Sequence, residues 1–238
     1  MDEQGRALSR REISEAVSGH GWRYVLGQLT AAVPVGSLAQ ALQVAARVVA
    51  VAGPDAGDRL RLDVRARHVL LSVQSPASES ATAADIDLAR RITAAVAALG
   101  LSQELGPQVA AGAARSVQLL EIAIDALDIP AIRPFWKAAL AYVDEVGSDG
   151  PGAGLIDPAG QLPPMWFQQM DAPRPQRNRV HFDITVAHDE AEARVRAAVA
   201  AGGWLVNDFF ALSFWVFVDA EGNEVCVCAW TGRDERDT

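Results

Sequence analysis

Only two cysteines and four histidines occur among the 238 residues. Two cysteines cannot build a disulfide framework. The sequence also lacks an apolar run of the roughly 18 residues that a membrane span needs. Its first stretch, MDEQGRALSRREISEAVSGHGW, lacks the basic, apolar, small-residue succession of a signal peptide. A soluble, cytoplasmic chain with no membrane partner is therefore expected. Positive charge is scarce too, with 21 Lys and Arg against 30 Asp and Glu and a net charge of -9. Nucleic acid is held mainly by neutralising its phosphates with Lys and Arg. The arginines here are dispersed, so no nucleic-acid partner is expected.

Apolar residues, by contrast, make up half the chain, enough for two ordinary domains with cores of their own. Gly and Pro in SQELGPQVAAGAARSVQ, Ser102 to Gln118, interrupt two patterned regions. This predicts domains over residues 1–108 and 113–238; the alternative is one domain with a long loop. In the first, Ser9 and Glu12 have the capping-box spacing and predict a helix to Val17. WRYVLGQLTAAV reads as two short strands around Gly27. Leu38, Leu42, Ala45, Val49 and Ala52 mark one face of a helix. LRLDVRARHVLLSVQS alternates as a hairpin turning near Arg67 and a solvated His68, and Thr82 caps a helix over residues 83–99. The order α-β-β-α-β-β-α predicts an α+β domain with helices on one face of an antiparallel sheet.

Gly21-Trp22, SLAQALQVAARV, the following hairpin and TAADIDLARRI resemble pterin-4a-carbinolamine dehydratase over residues 9–100. The resemblance implies a His-His-Pro after the long helix and a third His after the hairpin. The corresponding stretch is AGPDAGDRL, and the third place falls near Ser75 and Pro76. Dehydrating a carbinolamine needs a group that gives and takes a proton near neutral pH, as imidazole does. Without those imidazoles the domain is expected to lack dehydratase activity, while still able to bind a flat ligand, dimerise or cover the second domain.

The second half contains one pattern twice. Strand VQLLEIAID, helix PAIRPFWKAALAYV and strand MWFQQM are followed by strand RVHFDITV, helix DEAEARVRAAVAAGG and strands FWVFVD and EVCVCAW. Ile132, Phe135, Trp136, Ala139 and Leu140 form one helical stripe. Asp189 is a candidate N-cap and Gly202-Gly203 a stop. Asp219 to Asn223, DAEGN, favours a tight turn. Each copy is expected as a strand, a helix and a run of antiparallel strands. Strand alternation sets Glu121, Ala123 and Asp125 on one face, and likewise His181, Asp183 and Thr185, and Cys226 and Cys228. The two cysteines then lie roughly 7 Å apart along one strand, beyond disulfide reach.

DIPAIRPFWKAAL, RNRVHFDITV, AAGGWLVND and VDAEGNEVCV resemble the vicinal-oxygen-chelate superfamily, in particular its glyoxalase-like and bleomycin-resistance-like branch, over residues 115–232. The resemblance implies paired βαβββ modules and a metal on the concave side, held by one residue from each of four strands. Counting along this chain puts Glu121, Gln168 with Gln169 as the neighbouring possibility, His181 and Cys226 at those places. Glu, His and thiolate suit zinc, a Gln amide is weak, and Mg²⁺ prefers more oxygen. The other reading is a metal-free pocket in which His181 meets Glu121 or Asp183 and the cysteines are small core residues. Buried cysteine is common without chemistry, which favours the metal-free pocket. The expected function is a glyoxalase-like lyase or isomerase using His181 and Glu121 as acid and base. Gln168, Asp183, Trp166 and Phe214 would contact the small-molecule ligand. The alternative is a non-catalytic protein that sequesters a planar apolar or drug-like ligand. A homodimer is expected, because sheet edges invite cover.

Overall fold

The computed structural model describes residues 8–78, 80–104, 106, 117–174, 176 and 180–231. Most of the linker, including both expected domain ends at 108 and 113, lies outside them, as do residues 177–179 of the second-copy motif. The chain divides into two compact units, Met1–Leu119 and Leu120–Thr238. None of the described helices is long and apolar enough to cross a membrane.

The first unit runs α1 (Arg10–Ser18), β1 (Arg23–Val25), β2 (Gln28–Pro34), α2 (Leu38–Ala52), β3 (Leu60–Val64), β4 (His68–Val73) and α3 (Ala83–Ala97). This is the expected order. Its sheet is antiparallel in the order β1-β2-β4-β3. The capping boxes form as the spacing demands, Ser9 with Glu12 and Thr82 with Asp85. Leu26 and Gly27 both take positive φ between the paired Val25 and Gln28, as a primed hairpin turn requires. Leu29, Ala31, Val33, Val69, Leu71 and Val73 share one sheet face and are fully buried with Val44, Val48, Ile92 and Val96 of the helices. Asp85 is buried but satisfied, accepting from Thr82 and from Arg59 at 3.1 Å. His68 departs from expectation. It opens β4 opposite Pro34, and its Nδ1 is buried without a hydrogen-bond partner among the described residues. The turn sits just before it, because strand pairing extends to Pro34.

The second unit realises the duplication. The first copy is β5 (Ile122–Ala126), α4 (Ile129–Leu140), β6 (Val143–Asp144), β7 (Leu155–Ile156) and β8 (Met165–Gln169). The second is β9 (Phe182–Thr185), α5 (Ala191–Ala200), β10 (Trp204–Asn207), β11 (Phe214–Val218) and β12 (Glu224–Cys228). The sheets have the orders β5-β8-β7-β6 and β9-β12-β11-β10. The run after each helix is antiparallel as expected, and in each sheet the first strand pairs with the last in parallel. A strand, a crossover containing a helix and a return beside the first strand gives that direction. Asp189 does not cap α5; the N-cap is Glu190, which makes no side-chain cap bond.

Ile132, Phe135, Trp136 and Ala139 of α4 are fully buried in one core with Phe217, Val225 and Val227 of the second copy. Trp136 meets the Phe182 ring edge-on at 5.9 Å and donates its indole N–H to buried Asp219 at 2.9 Å. The other Asp219 oxygen accepts from the backbone of Glu221 and Asn223, closing the turn in which Gly222 has positive φ. Gly203 abuts the Phe135 ring so closely that a Cβ would overlap it. The apolar faces of both sheets therefore have fixed partners, and the opposite faces carry the polar residues.

Asp219→Ala should strand the Trp136 N–H and open the turn. An unpaired buried group costs about 1–3 kcal/mol, so the urea midpoint should fall with an unchanged slope. A second outcome concerns Tyr142, whose hydroxyl donates to the Pro163 carbonyl at 2.7 Å. Burial first, and then the charge of Asp157, push its ionisation up to about 12. An acid whose folded pKa is raised contributes stability fully present below the unfolded value and lost as pH rises towards the folded one. Unfolding free energy should therefore decline between about pH 10 and 12 in wild type, and that decline should be smaller in Tyr142→Phe.

Candidate functional site

Strand β9 alternates as its sequence dictates: Phe182 and Ile184 pack on the core, while His181 just before it, Asp183 and Thr185 are exposed. On β12, Val225 and Val227 enter the core and Cys226 and Cys228 lie on the other face. The parallel register sets Cys226 beside Asp183 and Cys228 beside Thr185. Adjacent strands run about 4.8 Å apart, so a carboxylate and a thiol become neighbours, and His181 reaches Asp183 from two residues upstream. The His181 Nε2 to Asp183 Oδ1 distance is 3.4 Å, with side chains 52% and 59% exposed. One donor atom from each of His181, Asp183 and Cys226 lies within 4.8 Å of the others.

These groups differ in what surrounds them. Cys226 is 7% exposed, and burial, followed by its hydrogen bond and proximity to Asp183, pushes the thiol up to about 12. The thiol is protonated at neutral pH and, without an added cation, is no nucleophile. His181 and Asp183 face solvent, where an imidazole backed by a carboxylate can accept and return a proton. Phe214 is half-buried at the start of β11, opposite Cys228. Its ring stacks at a tilt on Phe210, 5.2 Å away.

The remaining predicted residues lie on the other sheet. Glu121 is exposed one residue before β5. Gln168 is exposed on β8 beside Asp125 of β5, and Trp166, two residues back on the same strand face, is 37% exposed beside Ala123. Among the described His, Cys, Asp and Glu side chains, those gathered around one ion-sized space are His181, Asp183 and Cys226. Glu121 is not among them. The parity of β9 held the signal for Asp183 as a third donor, since it shares His181's face.

The metal implied by the resemblance can be tested against this cluster. Imidazole nitrogen, carboxylate oxygen and thiolate sulfur are all zinc ligands at 2.0–2.3 Å, which sets tetrahedral donors about 3.5 Å apart. The donor atoms of His181, Asp183 and Cys226 lie within 4.8 Å of one another, and in kind they fit such an ion.

A strand-helix-three-strand unit occurring twice, each with its first and last strands paired in parallel, defines a paired βαβββ architecture. Residues 121–228, from Glu121 to Cys228, match the family described as Glyoxalase-like domain. The C-terminal half therefore carries a glyoxalase-like domain. Among solved structures, the chain is similar to a glyoxalase/bleomycin resistance protein/dioxygenase family enzyme from Burkholderia phytofirmans PsJN. That likeness has 17% identity, covers 48% of this chain and 98% of that one, and has a TM-score of 0.39. It is also similar to the genomically encoded fosfomycin resistance protein FosX from Listeria monocytogenes, at 15% identity over 51% of this chain and 97% of that one, TM-score 0.38. A glyoxalase/dioxygenase from Nostoc punctiforme is similar at 15% identity over 49% and 98%, TM-score 0.38. No curated protein matches the chain.

Because His181 projects into solvent, His181→Ala should change stability by less than about 0.5 kcal/mol, the range of ordinary surface substitutions. Urea unfolding checks this. A loss of several kcal/mol would make His181 a structural residue.

Proposed function

We propose that the glyoxalase-like domain is a small-molecule enzyme of the lyase or isomerase type, with His181 as the proton-transfer group. The observation that carries this reading is the exposed His181–Asp183 pair at 3.4 Å, on the face of β9 turned away from the core. Asp183 fixes the imidazole's orientation, and His181 moves a proton on a carbon or oxygen of the substrate. Glu121, exposed one residue before the first strand of the other sheet, is the candidate partner acid or base. Phe214, Phe210, Trp166 and Gln168 would contact the substrate's carbon frame and polar groups. A zinc ion held by the cluster would supply Lewis-acid polarisation of a substrate oxygen.

The second reading is a binding protein without chemistry, favoured by exposed aromatic surface: Phe209 is 81% exposed and Trp204 60%. The two readings separate in deuterium oxide. Hemithioacetals of 2-oxoaldehydes with glutathione, and fosfomycin with thiols, form a first probe panel followed by proton NMR. The enzyme reading expects product, or exchange of a proton beside the carbonyl, with kcat falling about a hundredfold or more in His181→Ala, the usual range for a lost acid-base group. Tryptophan quenching by the panel with neither turnover nor exchange favours the binder.

The reading of residues 9–100 as a dehydratase-like scaffold without dehydratase activity belongs to the same proposal, supported by the element order. Stopped-flow dehydration of a pterin 4a-carbinolamine should run at the uncatalysed rate with the full chain. Acceleration that disappears on deleting residues 1–105 would overturn this. A homodimer is also proposed, supported by the exposed edge strand β10.

A further inference from the structure

We infer that two copies of this chain join edge to edge at β3, turning two four-stranded sheets of the first unit into one continuous sheet, with the exposed flank of α2 packed on its counterpart across a two-fold axis. Strand β3 ends the order β1-β2-β4-β3 and pairs on one side only among the described residues. The Arg65 N–H donates to the His68 carbonyl, and the Gln74 N–H to the Arg59 carbonyl, so the odd-numbered residues of β3 bond to β4. Backbone groups alternate in direction along a strand, which aims the N–H and C=O of Leu60, Leu62 and Val64 at the open edge. Charge selects a second copy as the occupant. Leu60, Leu62 and Val64 pack on the core, and Arg61 and Asp63 therefore lie on the other sheet face. Keeping both cores on one side restricts a β3 pair to registers of like parity. Centred on Leu62, an antiparallel pair sets Arg61 of each copy opposite Asp63 of the other. Leu62 then meets Leu62, and Leu60 meets Val64, as hydrogen-bonded pairs that take up the outward backbone groups. The two Arg–Asp pairs fall at the places between, where side chains approach most closely. Centring on Arg61 or Asp63 instead brings like charges together, so the strand is complementary to itself in the Leu62 register.

The helix above this edge is built for the same partner. α2 lies over β3 and β4 and has α3 on one flank, where Arg91 donates to the Val51 carbonyl. Its core face is Ala41, Val44, Val48 and Ala52. The stripe legible in the sequence, Leu38, Leu42, Ala45 and Val49, is a different face, with Leu38, Leu42 and Val49 each more than half exposed. At about 100° per residue it lies beside the core face on the flank opposite Val51 and α3, out over the β3 edge. A helix apolar around most of its circumference is one that is covered, and steps of four, three and four residues make a helix–helix seam. The two-fold axis that pairs β3 antiparallel also sets the two α2 helices antiparallel in one layer. The exposed edge β10 competes for the same role, but its four residues carry a register shift between Leu205 and Asn207, and such bulges blunt an edge. The inference deepens the homodimer proposed above, on which it rests, by naming the surface that forms it.

Sedimentation velocity and light scattering of the full chain over a dilution series test this, with circular dichroism as the check on folding. The wild type is expected as a dimer. Arg61→Asp sets carboxylates opposite each other, and Asp63→Arg sets guanidiniums opposite each other. Because the two-fold axis places each substitution in the interface twice, each variant should weaken self-association by about a hundredfold or more. Mixed in equal amounts, the two variants should recombine into a dimer, since every Asp then faces an Arg. The double variant Arg61→Asp/Asp63→Arg should dimerise by itself. Leu42→Lys on α2 should also weaken the dimer, and Leu205→Lys on β10 should leave it intact. Should one charge reversal fail to fold, Leu42→Lys and the double variant still decide. A dimer indifferent to Arg61, Asp63 and Leu42, or split by Leu205→Lys, overturns this interface and leaves the homodimer standing. Charge-reversed variants that do not recombine on mixing overturn the Leu62 register. A wild type that stays monomeric at every concentration overturns both this interface and the homodimer.

Discussion

The buried Asp219 carboxylate fastens the C-terminal unit together. One oxygen takes the indole proton of Trp136 from the first copy's helix, and the other closes the turn between the last two strands of the second copy. Buried carboxylates are tolerated only when hydrogen-bonded throughout, and Asp219 meets that condition by joining two segments 83 residues apart. Glu221 in the same turn accepts from the backbone of Leu127 and Asp128 at the start of α4. The turn is thus held from both sides. With it the register of β12 is held, and that register decides which side chain stands beside Asp183.

Local signals were legible in the sequence. Ser9 with Glu12, Thr82 as a helix cap, the α4 stripe and the Asp219–Asn223 turn each depend on residues a few positions apart, and each formed. Strand parity also separated core from exposed residues on β9 and β12. What escaped was non-local or too short to show a period. Strands β6 and β7 have two residues each, and all four residues of β10 are exposed. The parallel pairing of first and last strands is a crossover property that no short pattern encodes. The residues around His68 suggest a turn and a solvated side chain, yet pairing with β2 carries it into the sheet.

The site was half legible for the same reason. Alternation showed that His181 and Asp183 share a face. A scheme of one residue per strand points to Glu121 and Gln168 on the other sheet as further members. Only the β9–β12 register places Cys226 next to Asp183 instead. Beneath an acidic neighbour and out of water, Cys226 keeps its proton.

The parallel pairing described for both sheets makes the duplication a controlled comparison carried within a single chain. The place filled by Asp183 and Cys226 in one sheet is filled by Ala123 and Trp166 in the other. In the backbone the two cradles are counterparts, but one presents a carboxylate and sulfur and the other a methyl group and an indole. Repetition supplied the same scaffold twice, and at this one pair of positions the side chains have diverged from polar to apolar.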